Sequence, residues 1–330
     1  MSAEGGTKAV VAALLANTGI AVTKFGAFLL TGVSSMLAEA IHSVADAGNQ
    51  GLLLLGGKRS RREATEEHPF GYGRERYIYA FIVAIVLFSV GGLFALYEAY
   101  HKYHEIHEAH GRPADSILDS RWWWVPLVVL GIAIVLESLS FRTAIIETNK
   151  VRGDASIVKF IRRAKQPELP VILLEDLAAL LGLVFAFLAV SLALITENLY
   201  FDVAGTALIG LLLVVVAITL AIETKSLLLG ESATPEAEDR IRKALDEQGQ
   251  LGRVIHLKTM HLGPEELLVA AKIEVRPGTT IEDLAEAIDA AERAVRASEP
   301  TARVIYLEPD LYRADHVPDP RPERPPAAGH

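Results

Sequence analysis

Two short stretches of this chain carry chemistry where the surrounding sequence is apolar. In SMLAEAIHSVADAGNQ, His42 and Asp46 stand at i and i+4, which places both on one helix face, one turn apart. Asn49 follows Asp46 at i+3, and Glu39 precedes His42 by one turn. An imidazole and a carboxylate about 6 Å apart can share one cation or one proton. In PVILLEDLAALLGL, Glu175 and Asp176 are adjacent. Adjacent helical residues point about 100° apart. The pair is therefore expected to divide, one acid facing a site and the other turning toward the cytoplasmic interface. Asn17, Lys24 and Glu137 also lie in apolar surroundings.

The elements that must position these groups are membrane spans. Apolar windows run roughly over 8–30, 33–57, 77–100, 122–147, 170–196 and 203–223, each long enough to cross about 30 Å of hydrocarbon. The first begins seven residues in and lacks a signal-peptide cleavage pattern, so it is expected to be retained. Six helices in lipid form a bundle, because each must satisfy its own backbone hydrogen bonds. An ionisable group inside a span costs about 2.5–3.5 kcal/mol and needs a reason. For His42, Asp46, Glu175 and Asp176 the functional reason is a cation site. The structural alternative is a buried pair that only joins helices, an interaction of about 0.6 kcal/mol. For Asn17, Lys24 and Glu137, packing or snorkelling stands beside a role in transport.

Composition narrows the classes. Against 32 Lys+Arg the chain has 41 Asp+Glu, a formal net charge of −9, with 51% apolar and 22% charged residues. That excludes a disordered chain, and the absence of a basic stripe argues against a nucleic-acid partner. With no cysteine, disulfides and thiolate metal sites are excluded. Positive charge gathers in two loops: Lys58, Arg59, Arg61, Arg62, Arg74 and Arg76, then Lys150, Arg152, Lys159, Arg162, Arg163 and Lys165. On the other side, 31–34 and 197–202 have no Lys or Arg, and 104–120 has only Arg112. The expectation is a multi-pass protein of the plasma (inner) membrane with both termini cytoplasmic.

Beyond the six-span domain, residues 1–230, the chain changes character. The stretch 155–165, ASIVKFIRRAK, puts Ile157, Phe160 and Ile161 on one face and basic residues on the other, an interfacial helix. Residues 231–312 read as a soluble domain of order αββαβ. Thr234 and Pro235 open its first helix, strands follow over 254–262 and 267–275, Thr280 and Asp283 open a helix to about 297, and 303–307 is the last strand. The fold class is thus an α-helical membrane protein, six transmembrane helices plus a cytoplasmic α+β, ferredoxin-like C-terminal domain. The Pro-rich end, 313–330, is expected to be disordered.

These residues carry a resemblance. HSVADAGNQ in span two, HPFGYGRERY leading into span three and the acid of span five resemble the cation diffusion facilitator (cation efflux) family. The likeness runs from about residue 7 to 312. It implies six-span, dimeric, proton-coupled exporters of divalent metal with a cytoplasmic α+β domain. In the family, spans two and five each give two metal ligands at i and i+4. His42 and Asp46 match the first pair, and Asp176 matches the second member of the other. The first member falls on Ile172, which cannot bind a metal. The ILLED segment and the amphipathic stretch before it are similar to the branch that includes vertebrate zinc transporter nine, where the same ligand is lost.

The resemblance implies a proton-coupled antiporter exporting zinc, with manganese, iron or cobalt as alternative cargo. Metal ligands are His42, Asp46 and Asp176, with water or Glu175 in the fourth position. The alternative is a non-transporting scaffold or regulator that retains the fold, a reading that Ile172 motivates. An intramembrane hydrolase finds no support, since HEIHEAH is not HExxH and no Ser/His/Asp grouping stands out; transport needs no ATP motif, and no GxxxxGK[ST] run is present. Neither a catalytic residue nor a resident cofactor is implied; the partners are metal, protons, membrane lipid and a second copy of the chain. Secondary family sites are thin. His68 matches one histidine, but Tyr72 stands where a second often does. His256 and His261 do not fall at expected ligand positions, so the soluble domain reads as a dimerisation module. His101, His104, His107 and His110 recur every three residues after span three, either a polar interface segment or a low-affinity landing stripe for metal.

Overall fold

The computed structural model describes residues 4–31, 34–109, 122–249 and 251–313. The chain divides into two compact units, Met1–Leu229 and Gly230–His330.

The first unit is helical. Its elements are α1 (Glu4–Thr31), α2 (Ser34–Arg59), α3 (Glu75–Val86), a π-helical turn (Leu87–Leu93), α4 (Phe94–Glu108), α5 (Val125–Arg152), the short α6 (Ile157–Arg163), α7 (Glu168–Thr196) and α8 (Tyr200–Leu229). The α3, π-turn and α4 segments run on as one rod, Glu75–Glu108, of 34 residues. Among the described residues five helices are long and apolar enough to cross a membrane: Thr7–Gly26, Glu75–Glu108, Val125–Arg152, Glu168–Thr196 and Tyr200–Leu229. The sixth long helix, α2, has 26 residues, about 39 Å at 1.5 Å each. It is less apolar than α1, α5, α7 and α8 because it carries the polar stripe. The chain is a multi-pass helical membrane protein.

The helices outrun the apolar windows that announce them. α5 continues to Arg152 and α8 to Leu229, since backbone hydrogen bonding does not stop where apolarity ends. Glycines follow both ends, Gly153 at φ 57° and Gly230 at φ 98°, a conformation that residues with a Cβ avoid. In α6, Ser156 Oγ accepts from the Lys159 backbone N–H at 3.2 Å and caps the helix. Phe160 packs into the helical core with Ile161 beside it, but Ile157, expected on the same face, stays exposed at the first helical position.

The core of this unit is built where α1, α2, α3, α7 and α8 meet. Ala9, Ala13, Leu53, Ala80, Val83, Leu169, Ile172 and Leu220 are among its buried residues. Small residues let the helices approach closely. A Cβ added at Gly205 would lie 2.3 Å from Ala189 Cβ, and one at Gly210 would lie 2.8 Å from Leu96 Cγ. At one end, Arg76 of α3 pairs with Glu168 of α7, and Tyr77 Oη donates to the Lys165 carbonyl at 3.2 Å.

The second unit comprises α9 (Pro235–Asp246), β1 (Leu251–Gly263), β2 (Glu266–Val275), α10 (Ile281–Ser298) and β3 (Val304–Asp310). β2 is central, antiparallel to β1 and parallel to β3. Its alternation buries Leu267, Val269, Ala271 and Ile273 against Ile241 and Leu245 of α9 and Ala291 and Val295 of α10. The parallel pair forces the crossover that α10 provides. Thr234 Oγ1 accepts from the Ala237 N–H at 3.3 Å, and Thr280 Oγ1 from the Asp283 N–H at 3.2 Å, so both predicted caps are formed. Residues 314–330, where the Pro-rich end was expected to be disordered, lie outside the described residues.

Candidate metal centre

α2 presents a polar stripe to the helices around it. Ser43, Asn49 and Gln50 are buried and Asp46 is half-buried. His42 lies on α2 one turn before Asp46, and its side chain, like that of Glu39, is outside the described residues. Asn49 Nδ2 donates to Glu175 Oε1 and Gln50 Nε2 to Glu175 Oε2, each at 2.9 Å. Gln50 Oε1 in turn accepts from Asn17 Nδ2 of α1 at 3.3 Å. Lys24 of α1 donates to Ser43 Oγ at 3.0 Å. On the far side of α7, Ser140 Oγ of α5 donates to Asp176 Oδ2 at 2.8 Å.

Glu175 and Asp176 do not divide as the 100° argument predicts. Both are buried, at 4% and 1% exposure. α7 has polar partners on two sides, so two side chains about 100° apart each meet a helix: Glu175 meets α2 and Asp176 meets α5. Neither turns to an interface. The pocket also takes in Glu137 of α5, at 1% exposure, and Lys24, at 4%. Asp46 is within electrostatic reach of Glu137, Glu175 and Asp176. Four acids from three helices therefore lie within electrostatic reach of one another, and Lys24 within reach of Glu137. Among the described residues no three His, Asp or Glu side chains are drawn together closely enough to hold an ion.

Ile172, one turn before Asp176, is fully buried in the apolar core. Lys24 and Asn17 are hydrogen-bonded inside the bundle and do not snorkel. His68 stacks edge-on against Tyr72 at 4.7 Å in the loop before α3. His256 and His261 lie on β1, opposite Lys272 and Leu267. His101, His104 and His107 interleave with tyrosines on α4, with Tyr100–His104 at 4.4 Å and Tyr103–His107 stacked at 6.0 Å; His110 lies outside the described residues.

Sequence reasoning did not single out Gln50, Ser43 or Ser140. Gln50 had a signal, since 42, 46 and 50 continue one i, i+4 row. Ser140 follows Glu137 at i+3, but serine inside a span is common enough to carry little information.

Buried carboxylates can exchange protons for a cation, because they bind metal only when deprotonated. Among the described residues the fold is that of a helical membrane protein, six long helices with acids and amides buried between them, followed in the chain by a small α+β unit. The family model described as the Cation efflux transmembrane domain matches residues 10–229, and the chain belongs to the cation efflux family. It is 31% identical over 276 residues to the human protein named "Proton-coupled zinc antiporter SLC30A9, mitochondrial", covering 82% of this chain and 46% of that one. Metal tolerance protein C4 of Arabidopsis thaliana is 28% identical over 276 residues, 81% of this chain and 56% of that protein. Magnetosome protein MamM of Magnetospirillum gryphiswaldense is 23% identical over 286 residues, 86% and 81% of the two chains. The chain spans about half the length of the human relative.

Proposed function

We propose that the chain is a proton-coupled antiporter that exports divalent metal, zinc first and manganese, ferrous iron or cobalt as further cargo, from the cytoplasm. The observation that carries this reading is the pair of buried acids on α7, Glu175 and Asp176, set against the polar stripe of α2. Acids at that depth are costly without a cation to serve. His42, Asp46 and Asp176 ligate the metal. Glu175, whose two oxygens accept from Asn49 and Gln50, braces α2 against α7 and is the weaker ligand candidate. The relatives named as proton-coupled zinc antiporters support the choice of cargo and counter-ion.

The cycle rests on competition. With the pocket open to the cytoplasm, a divalent ion binds and the ligands release their protons. Helices then move about the site, as in other alternating-access transporters. Protons from the opposite side reload the imidazole and carboxylates and displace the ion. Proton entry down its gradient thereby drives metal outward. The basic loops around 58–76 and 150–165 favour a plasma (inner) membrane orientation with both termini and the second unit cytoplasmic. The second unit serves as the dimerisation module of a homodimer.

Flux in proteoliposomes tests this. Purified protein should move zinc against an imposed pH gradient, and Asp46→Ala and Asp176→Ala should each abolish the movement. A specific observation keeps one other reading in view: Ile172 is sealed in apolar core and offers no ligand. A wild-type chain that binds metal but shows no gradient-driven flux would be a scaffold or regulator with the transporter fold.

A further inference from the structure

We infer that Glu137 of α5 supplies the oxygen ligand that Ile172 cannot, so that the metal pocket draws on α2, α5 and α7. This rests on the reading of Asp46 and Asp176 as ligands and deepens it.

The sequence left two sources for the fourth ligand, Glu175 or water. The structure ties Glu175 down, because both of its oxygens accept from amides of α2 at 2.9 Å. Turning it onto an ion breaks both bonds and frees two buried donors. Glu137 is placed differently. It is 1% exposed, yet its Oε1 has no hydrogen-bond partner among the described residues. A buried carboxylate oxygen without a donor is costly and calls for an explanation, of which an ion is one.

Its position on α5 supports that explanation. Ala133, Glu137, Ser140 and Ala144 form the buried face of the helix, at i, i+4, i+7 and i+11. Ser140, one turn beyond Glu137, is the residue that holds Asp176. Asp176, Asp46 and Glu175 are within electrostatic reach of Glu137, as is Lys24. The unpartnered oxygen therefore belongs to a residue on the face of α5 that meets Asp176. Lys24 donates to Ser43 across the α1–α2 contact, the one lysine within reach of Glu137 against three other acids.

The resulting set is one imidazole and three carboxylates: His42, Asp46, Glu137 and Asp176. It fills four positions, as zinc prefers, and its oxygen content suits manganese, ferrous iron and cobalt as well. Among the described residues the side chains are not gathered into a cage, so the proposal requires Glu137 and Asp176 to close on the ion from α5 and α7.

The test is titration calorimetry of the purified full-length protein with Zn²⁺ and with Mn²⁺, comparing wild type, Glu137→Gln and Asp46→Asn, alongside the thermal midpoint of each without metal. Glutamine keeps the shape and the buried carbonyl oxygen, so the midpoint should stay near the wild-type value. Metal affinity should fall at least by the roughly 10- to 100-fold that even outer-shell partners of a metal contribute. Wild-type affinity in Glu137→Gln with a loss in Asp46→Asn would overturn the inference and leave the pocket standing. Wild-type affinity in both would overturn the pocket as well. Should Glu137→Gln fail to fold, Glu137→Asp replaces it: the shortened carboxylate should bind more weakly, and unchanged affinity there would equally overturn the inference.

Discussion

Gln50→Leu cuts the polar network at its centre, and the structure sets the size of the effect. Gln50 is fully buried, donates to Glu175 Oε2 at 2.9 Å and accepts from Asn17 Nδ2 at 3.3 Å. Leucine preserves volume and removes both bonds, leaving a carboxylate oxygen and an amide N–H short of a partner. Each such group costs about 1–3 kcal/mol when nothing replaces the partner. Membrane-embedded polar pairs average only about 0.6 kcal/mol, because the unfolded helices find other partners. Here burial is complete, so the larger figure should prevail for each of the two groups, about 2–6 kcal/mol for the single variant. The sharper quantity is the coupling between Gln50 and Glu175 in a cycle of Gln50→Leu, Glu175→Leu and the double variant. Unfolding free energies from denaturing-detergent titration in mixed micelles should give a coupling of about 1–1.5 kcal/mol, as expected for a well-formed buried hydrogen bond. A coupling at or below about 0.6 kcal/mol would refute the claim that this contact braces α2 on α7.

Ser140→Ala removes the donor that orients Asp176 and should weaken zinc binding about tenfold without abolishing it; unchanged affinity in calorimetry would show that Asp176 needs no such support. Gly205→Val places a side chain where even a Cβ would meet Ala189 Cβ at 2.3 Å, so it should cost about 1–3 kcal/mol by forcing α7 and α8 apart. Gly131→Ala, with nothing within 4 Å, should instead stabilise by up to about 1 kcal/mol. In the second unit, burial pushes the Glu299 carboxyl up, but hydrogen bonds from Thr301 and Arg240 outweigh it and hold the group below its usual range. A depressed folded value means stabilisation present above the ordinary carboxylate range and lost as pH falls through the folded value. Unfolding of this unit in the full chain, followed against pH, should therefore weaken on acidification, and Glu299→Gln should flatten that acid limb.

Much of the second unit was legible because its signals are local. Thr234 with Pro235, and Thr280 with Asp283, announce helix starts through a side-chain oxygen that reaches a nearby N–H, and the alternation in β2 needs only its own period. The stripe on α2 was legible for a related reason, since i, i+4 spacing fixes a face whatever surrounds it. What surrounds it was not legible. Helix rotation decides that Glu175 meets Asn49 and Gln50 while Asp176 meets Ser140, and rotation is set by packing between helices 36 to 126 residues apart in sequence. Ser140 and Gln50 carry no charge, so they raise no alarm in an apolar window. The π turn at Leu87–Leu93 adds one residue to a helical turn, which a periodic reading averages away. Glu137 was visible as a charge but not as a neighbour of Asp176, because only the structure shows α5 beside α7.

The central claim is that a divalent ion and protons contend for the pocket of Asp46, Asp176 and the residues around them. Locating a bound zinc ion in the full-length protein by anomalous scattering tests it most directly. The account predicts an ion between α2 and α7, within bonding distance of Asp46 and Asp176 and absent from Asp176→Ala. An ion held only by the histidines of α4 or β1, with nothing between α2 and α7 in the same crystals, would contradict it.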